Sequence, residues 1–326
     1  MARLCKEMNS LFSEFVLKNL RLCGFHTVVD FLEENPENLV RITKLPYKDI
    51  VLLRHNIIAN FSAFQSSGKT AYNEIVTNSA MVSTGIERLD ALLGGGILTG
   101  NIYEVCGLSG SCKTQLCLTI AMNIALSLKQ KVYYIDAKLD FSSRRIFSML
   151  EEKQIAETDV TETLKRIEVV RIKDLYQLFS FLHTLRENLA QRELESSFVR
   201  VIILDSLPAV FFSFLNDTNN EGIALKSQLA NTMKHIALEC HVAFLLVNLA
   251  SRHFDEIENL PDPDLTVSSV QTEVVKPALG KQWLHIPSTR LLLKKVESQV
   301  HVSIIKSINI PLCSSCILNI KDEGLV

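Results

Sequence analysis

Hydrophobic and polar positions follow two different periods along this chain of 326 residues. In residues 1–60, apolar side chains recur at the spacing of amphipathic helices, as in SLFSEFVLKNLRL and DIVLLRHNIIANF. From about residue 81, short runs of β-branched and aromatic residues alternate instead with helical stretches. The pattern therefore predicts a small all-helical module followed by a larger α/β domain.

The α/β region begins with predicted strands that are separated from one another by helical stretches. The strands are IYEVC, KVYYID, RIEVVRI, VRVIILD and HVAFLLVN, and the helices are predicted at 114–130, 142–153, 174–192 and 222–239. This alternation predicts a mainly parallel sheet with helices on both faces and ligands at the carboxyl ends of the strands. After residue 288 three apolar runs follow without a helix (TRLLLKKV, VHVSIIKSI and SCILNIKD), which predicts a C-terminal antiparallel extension.

Two segments interrupt these patterns. Residues 61–80 are rich in small and polar side chains, so we predict a linker there, between a 1–60 module and an 81–326 core. Residues 251–275 contain six acidic side chains and two prolines without a clear period, which predicts a long loop.

Composition excludes several classes of protein. Hydrophobic residues make up 47% of the chain, enough for a sizeable core, and a net charge of −2 argues against a uniformly basic nucleic-acid-binding protein. Any contact with DNA is therefore local or supplied by partners. The chain start lacks the apolar stretch of a signal peptide, and no apolar run approaches the roughly 20 residues of a membrane span. The eight cysteines, scattered through apolar stretches, favour a reducing compartment, the cytosol or the nucleus.

The segment GLSGSCKT at residues 107–114 differs by one residue from the phosphate-loop pattern G-x-x-x-x-G-K-[ST]. Such a loop holds phosphate with backbone N–H groups and a helix N-terminus, and its lysine reaches the outer phosphates. The substituted position is Cys112, which either narrows the site or strains the backbone by about 1–3 kcal/mol. The candidate ATP-binding residues of this loop are Gly107, Leu108, Ser109, Gly110, Ser111, Cys112, Lys113 and Thr114.

A second apolar strand, VIILD, ends in Asp205 and supplies the other half of a nucleotide site. In phosphate-loop proteins the hydroxyl of the loop Ser or Thr ligates Mg²⁺, and this aspartate holds the metal shell through water. Thr114 and Asp205 are therefore the candidate Mg²⁺ ligands, and ATP with Mg²⁺ is the predicted ligand.

Four stretches of the chain, together with this loop, resemble the core of RecA-type recombinases. They are STGIERLDALLGGGILTGNIYEVCG, YYIDAKLDF, VIILDS and KPALGKQWLHIPSTRLLL. The last of them and the TVVDF-containing N-terminal module resemble most closely the D-type paralogue family of the eukaryotic RecA homologue. The resemblance implies a RecA-like ATPase fold and a nuclear role in homologous-recombination DNA repair. It also implies a hetero-oligomer of recombinase paralogues that assists the main recombinase on single-stranded DNA.

Several residues depart from the pattern that the resemblance implies. Lys138 stands where active recombinases place the glutamate that activates water, and an ammonium group cannot act as a base at neutral pH without a large pKa shift. Asp140 is either a substitute base or a solvated loop charge. Leu249 replaces the glutamine that senses the γ-phosphate, and leucine has no donor for it. Arg145 matches an arginine that packs on adenine, or it is an exposed helix charge.

The segments that match the family's DNA loops are poor in positive charge. The first corresponds to SFLNDTNNEGIALKSQ, where Lys226 is the only cation, and the second to the acidic segment 251–275. We therefore expect single-stranded DNA binding to be weak or dependent on assembly. The N-terminal module is either a helix-hairpin-helix-like DNA element or a protein-docking bundle, and its even charge favours docking.

Two aromatic features remain. The family inserts a linker phenylalanine into the neighbouring subunit, and Phe61 and Phe64 are candidates; alternatively both pack under their own helices. Trp283 is predicted to be a packing anchor rather than a base-stacking platform.

Three functional hypotheses follow. The favoured one is a paralogue subunit that binds ATP with little or no hydrolysis. The second is an active DNA-stimulated ATPase or strand-exchange protein that uses Asp140, and the third is a scaffold whose loop Cys112 has closed to nucleotide.

Overall fold

The computed structural model describes residues 3–61, 65–191, 199–214, 220–255, 272–312 and 314–326. It divides into two units, Met1–Glu74 and Ile75–Val326. Among the helices of the described ranges, none combines the length and the apolar character needed to cross a membrane.

The first unit is helical. Between residues 3 and 61, which are all described, it contains a short 3₁₀ turn, Lys6–Met8, followed by four helices: α1 (Glu14–Leu22), α2 (Val28–Glu33), α3 (Pro36–Thr43) and α4 (Tyr47–Phe61). Polar side chains start these helices, since Ser13 caps α1 and Thr27 forms a capping box with Asp30 at α2. The buried core includes Phe12, Leu20, Phe31, Leu39, Ile50 and Leu53. The helical period of residues 1–60 thus predicted this unit correctly.

A fifth helix, α5 (Gly68–Asn78), lies within the segment predicted as a linker, and the division between the units falls inside it. None of its residues is buried. The division into segments 1–60, 61–80 and 81–326 that was derived from the sequence remains a prediction.

The second unit is an α/β fold. After α5 its helices are α6 (Glu87–Leu93), α7 (Lys113–Ser127), α8 (Ser143–Glu152), α9 (Glu157–Arg166), α10 (Leu175–Gln191), α11 (Leu207–Phe211) and α12 (Asn220–Glu239). Its strands are β1 (Met81–Val82), β2 (Ile97–Leu98), β3 (Ile102–Gly107), β4 (Lys131–Asp136), β5 (Ile167–Arg171), β6 (Val199–Asp205), β7 (Ala243–Asp255), β8 (Thr272–Pro277), β9 (Thr289–Val296), β10 (Gln299–Lys306), β11 (Ser315–Lys321) and β12 (Gly324–Leu325).

Within the described residues, ten of these strands form one sheet in the order β12-β11-β10-β9-β3-β7-β6-β4-β5, with β8 paired to β7. All the pairings from β9 through β3 to β5 are parallel, whereas β9, β10, β11 and β12 pair antiparallel. The predicted RecA-like fold, a mainly parallel sheet with a C-terminal antiparallel extension, is confirmed.

The sheet is central because both of its faces are apolar. Along β4, Val132 and Tyr134 pack into one hydrophobic cluster, which contains α7, while Tyr133 and Ile135 pack into the other, which contains α10 and α12. Successive side chains of a strand point to opposite faces, so each cluster covers one side of the sheet. The carboxyl ends of β3, β4 and β6 therefore meet at one edge.

The long loop predicted at residues 251–275 was wrong at both of its ends. Residues 251–275 do not form one loop, because β7 continues to Asp255 and β8 begins at Thr272, and the two strands pair antiparallel in the register Ala250↔Pro277 to Asp255↔Thr272. The β-branched run in TEVVKP supports a strand, and the ladder satisfies the backbone hydrogen bonds that a loop would expose. Residues 256–271 lie outside the described residues. Helix α9 was also missed.

Candidate nucleotide-binding site

The phosphate loop joins β3 to α7. Gly107, the last residue of β3, pairs with Leu249 of β7 on one side and Leu293 of β9 on the other. A Cβ atom at Gly107 would lie 2.5 Å from the carbonyl oxygen of Leu293 and 2.5 Å from Oγ of Ser111. Only glycine fits where the chain leaves the sheet and turns into the loop.

The loop lysine is held in place by the loop itself. Nζ of Lys113 donates to the carbonyl oxygens of Gly107 (2.9 Å) and Leu108 (2.6 Å) and to Oγ of Ser111 (3.2 Å). Lys113 and Ser111 are both buried. Burial lowers the pKa of Lys113, and the positive charge of Lys138 lowers it further. The ammonium group is thus positioned before any ligand arrives.

Cys112 adopts the left-handed conformation (φ 65°, ψ 22°) that favours glycine. Gly110, two residues earlier, also has a positive φ, of 77°. The left-handed backbone of Cys112 is the strained conformation predicted as one of two consequences of the cysteine; narrowing of the site remains a prediction. Sγ lies 3.9 Å from the carbonyl oxygen of Gly110, and the side chain makes no capping bond to the N-terminus of α7. The first N–H groups of α7 are therefore not covered by the Cys112 side chain.

Asp205, at the end of β6, faces the loop from the neighbouring part of the sheet edge. Its Oδ2 accepts from the hydroxyl of Thr114 at 2.6 Å and from the hydroxyl of Tyr134 at 3.2 Å. Its Oδ1 pairs with Nζ of Lys138 at 3.0 Å. The carboxylate side chain is only 3% exposed. Both oxygens of the predicted metal ligand are therefore engaged by protein groups.

The turn after β4 positions Lys138. The carboxylate of Asp136, at the end of β4, accepts from the backbone N–H groups of Lys138 (3.3 Å), Asp140 (3.2 Å) and Phe141 (3.0 Å). Leu139 within this turn has a positive φ of 63°. The Asp140 side chain is exposed at the tip of this turn.

Two further residues considered from the sequence lie near the edge of the site. Arg145 of α8 donates from Nε to Oε1 of Gln115 (3.1 Å) and from Nη2 to the carbonyl oxygen of Lys321 (3.3 Å), so it bridges α7 and β11. Leu249 lies beside Gly107 in the sheet and is 38% exposed.

The structure thus brings together the loop residues 107–114 and Asp205, as the sequence predicted, and adds Lys138 to them. Sequence reasoning missed Tyr134 and Asp136, which respectively bond to Asp205 and shape the turn. The signal was present in YYID, a strand in which a phenol and a carboxylate precede Lys138.

A second buried carboxylate lies on β3, the strand that leads into the loop. Glu104 of β3 accepts from Nδ2 of Asn248 (2.6 Å) and from Nε1 of Trp283 (3.0 Å), and it pairs with Nε of Arg290. Glu104 and Asn248 are fully buried, and Trp283 is 1% exposed. Trp283 and Arg290 belong to the stretch KPALGKQWLHIPSTRLLL, and the predicted packing role of Trp283 is confirmed.

The predicted DNA and docking residues are only partly described. Nζ of Lys226 donates to the carbonyl oxygen of Leu279 at 3.3 Å. Residues 215–219 of the first predicted DNA loop lie outside the described residues. Phe61 ends α4 and is 47% exposed, whereas Phe64 is outside the described residues.

Comparisons with known proteins agree with this architecture. The family model Rad51 matches residues 76–326, and the model RAD51D, N-terminal domain, matches residues 1–60. DNA repair protein RAD51 homolog 4 of Bos taurus is 37% identical over 276 residues, which cover 84% of this chain and 80% of that protein. The protein of the same name from Mus musculus is 37% identical over 286 residues, covering 87% and 82%. DNA repair and recombination protein RadA of Aeropyrum pernix is 25% identical over 289 residues, covering 85% and 82%.

Proposed function

This chain belongs to the Rad51 family, and from that premise we propose that it is a recombinase-paralogue subunit for DNA repair by homologous recombination. The Bos taurus and Mus musculus relatives are named as DNA repair proteins, and the Aeropyrum pernix relative as a DNA repair and recombination protein. The proposal places the chain in the nucleus, in a hetero-oligomer with other recombinase paralogues that assists the recombinase on single-stranded DNA. Weak or assembly-dependent DNA contact fits the single cation of the first predicted DNA loop.

ATP binding is the second part of the proposal. Three observations support a phosphate ligand at the loop: the close approach at Gly107 that excludes a side chain, the buried ammonium group of Lys113, and the α7 N-terminus that the Cys112 side chain leaves uncapped. Backbone N–H groups and a lysine at a helix start are the donors that phosphate oxygens prefer. The loop residues 107–114 would hold the phosphates, with Arg145 at the nucleotide's edge and Asp205 behind Thr114.

Weak or absent hydrolysis is the third part, and the Lys138–Asp205 ion pair is the observation that supports it. The Lys138 ammonium group lies 3.0 Å from Oδ1 of Asp205. By its resemblance to recombinases, the chain carries Lys138 at the position of the general base, and a protonated amine cannot accept a proton from water. The alternative base, Asp140, is an exposed residue whose backbone N–H is tied to Asp136. The active-ATPase hypothesis therefore has the weaker support.

The residues of the site fit Mg²⁺ less well than they fit the phosphates of a nucleotide. Thr114 and Asp205 are oxygen donors of the right kind, but the hydroxyl donates to one carboxylate oxygen and Lys138 pairs with the other. A metal ion at this position would have to displace the ammonium group.

Thermal unfolding of the purified chain with and without ATP tests the nucleotide-binding proposal. A ligand at about 100 times its dissociation constant stabilises the folded state by about 2.7 kcal/mol, and Lys113→Ala should abolish that gain. Lys173→Ala is the matched control, because Lys173 is an exposed lysine outside the site. If ATP stabilises only Cys112→Gly, the cysteine has closed the natural loop and the scaffold hypothesis replaces this proposal. If ATP stabilises neither protein, the loop of the isolated chain binds no nucleotide with or without the cysteine, and the nucleotide-binding proposal is wrong.

A further inference from the structure

We propose that Lys138 serves as a built-in cation of the nucleotide site, taking the place of Mg²⁺, so that this chain binds ATP without a metal requirement. The inference rests on the proposed nucleotide binding and adds to it the residue that neutralises the phosphates. It concerns the metal dependence of the site rather than its loss of hydrolysis.

The backbone aims Lys138 at Asp205. Strands β4 and β6 are parallel neighbours in which Asp136 pairs with Asp205, so both strands end at the same level of the sheet edge. Asp136 then closes the turn by accepting three backbone N–H groups, including that of Lys138. Lys138 thus lies two residues after the end of β4, and its ammonium group contacts the carboxylate of Asp205 on the neighbouring strand.

The carboxylate has little capacity left for a metal. Oδ2 of Asp205 accepts two hydroxyl groups, from Thr114 and Tyr134, and Oδ1 faces the ammonium group of Lys138. Oδ1 is buried and has no well-aligned hydrogen bond to any of the described residues, so the ion pair is its compensating interaction. Removing Lys138 would leave a buried negative charge without a counter-ion, which a divalent cation could then supply.

Two ammonium groups therefore flank the phosphate loop. Lys138 is close enough to Lys113 for its charge to contribute to the lowered pKa of Lys113, and its own side chain remains 27% exposed. Part of the Lys138 side chain is therefore open to solvent beside the loop, where the inference places an anionic ligand. A phosphate chain at the loop meets positive charge on two sides, whereas an incoming Mg²⁺ meets electrostatic repulsion.

Equilibrium binding of a fluorescent ATP analogue, measured with excess Mg²⁺ and again with EDTA, tests the inference. For the native full-length chain we expect the two dissociation constants to agree within about threefold. Lys138→Gln keeps an N–H donor for Asp205 but removes the charge, so its affinity in EDTA should fall by about tenfold or more relative to its affinity in Mg²⁺. Lys138→Arg should behave as the native chain, and Lys173→Gln, at an exposed lysine elsewhere, is the control.

The outcomes separate this inference from the function on which it rests. Binding by the native chain that requires Mg²⁺ would overturn the inference and leave nucleotide binding standing. Metal-independent binding by both the native chain and Lys138→Gln would show that another group neutralises the phosphates, which also overturns it. Absence of binding in both conditions would remove the nucleotide-binding proposal and the inference together.

Discussion

Glu104 and Asp205 are both buried carboxylates on strands of the same sheet, and each is paired with one cation, yet their surroundings differ. The partner of Glu104 is Arg290, whose side chain is 4% exposed. Asn248 and Trp283 donate further hydrogen bonds to the carboxylate of Glu104. The partner of Asp205 is Lys138, whose side chain is 27% exposed.

The difference indicates what each ion pair does. Glu104 and its partner Arg290 are both buried. The guanidinium group of Arg290 pairs with the carboxylate and also donates to the carbonyl oxygens of Trp283 and Leu284. Such a pair stabilises one arrangement of β3 and β9. Around Asp205 the cation is partly open to solvent beside the phosphate loop, and a ligand can draw on its charge. The same kind of ion pair therefore supports the fold in one place and, in the other, lies at the loop where we propose that nucleotide binds.

The largest expected effect on stability comes from breaking the buried Glu104–Arg290 ion pair. Arg290→Met should lower the free energy of unfolding by about 3–5 kcal/mol, because it leaves the buried charge of Glu104 without a partner. Urea denaturation measures this. The matched control is Arg186→Met, which breaks an exposed arginine–glutamate pair of 2.8 Å with Glu239 and should cost less than about 1 kcal/mol. Equal losses in the two variants would contradict a structural role for the Glu104 network.

The next effect concerns the start of the phosphate loop. Gly107→Ala places a methyl group 2.5 Å from the Leu293 carbonyl oxygen, and we expect a loss of about 1–3 kcal/mol in unfolding free energy together with weaker ATP binding. Gly68→Ala in α5 is the control, since a Cβ there meets no atom within 4 Å. A Gly107→Ala protein as stable as the Gly68→Ala protein would show that the loop can shift away from the sheet.

Burial of the groups around Glu104 also predicts that the free energy of unfolding depends on pH. Burial raises the pKa of the Cys106 thiol from 9.0 to about 12, and the negative charge of Glu104 contributes. Above pH 9 the unfolded thiol loses its proton while the folded one keeps it, so stability falls as pH rises, by at most about 1.4 kcal/mol per pH unit.

Denaturation at mildly and strongly alkaline pH measures this contribution. The unfolding free energy of Cys106→Ala should decline less steeply with rising pH than that of the native chain. Cys23→Ala, at an exposed thiol, should leave the decline unchanged. An unchanged decline in Cys106→Ala would place the titrating groups elsewhere.

The smallest effect is expected at the substituted loop position. Cys112→Gly relieves a left-handed backbone at φ 65° and should raise the unfolding free energy by about 0.5–1 kcal/mol after the entropy of glycine is subtracted. Gly110→Ala makes the opposite change at φ 77°, in open space, and should lose a similar amount. A destabilised Cys112→Gly protein would mean that the sulfur contributes packing that outweighs the strain.

Local patterns in the sequence predicted most of the fold. The helical period of residues 1–60, the alternation of strands and helices, and the loop GLSGSCKT each depend on neighbouring residues, and the strand TRLLLKKV was predicted with the bounds of β9. These features can be derived without knowing how distant segments meet.

Contacts between distant segments could not be predicted in the same way. The pairing of Lys138 with Asp205 depends on the register of β4 against β6, and Arg290 meets Glu104 across 186 residues of sequence. A lone lysine after YYID indicated only the loss of a base. Likewise, β7 extends to Asp255 because β8 pairs with it, which the acidic composition of that segment concealed.

The chemical fate of bound ATP tests most directly the claim that this site holds nucleotide without turning it over. The purified chain is saturated with γ-labelled ATP, with and without single-stranded DNA, and release of labelled phosphate is followed over time beside Lys113→Ala. We predict that the native chain retains ATP and releases phosphate no faster than Lys113→Ala. Sustained release by the native chain that Asp140→Asn abolishes would contradict the claim and establish an active ATPase.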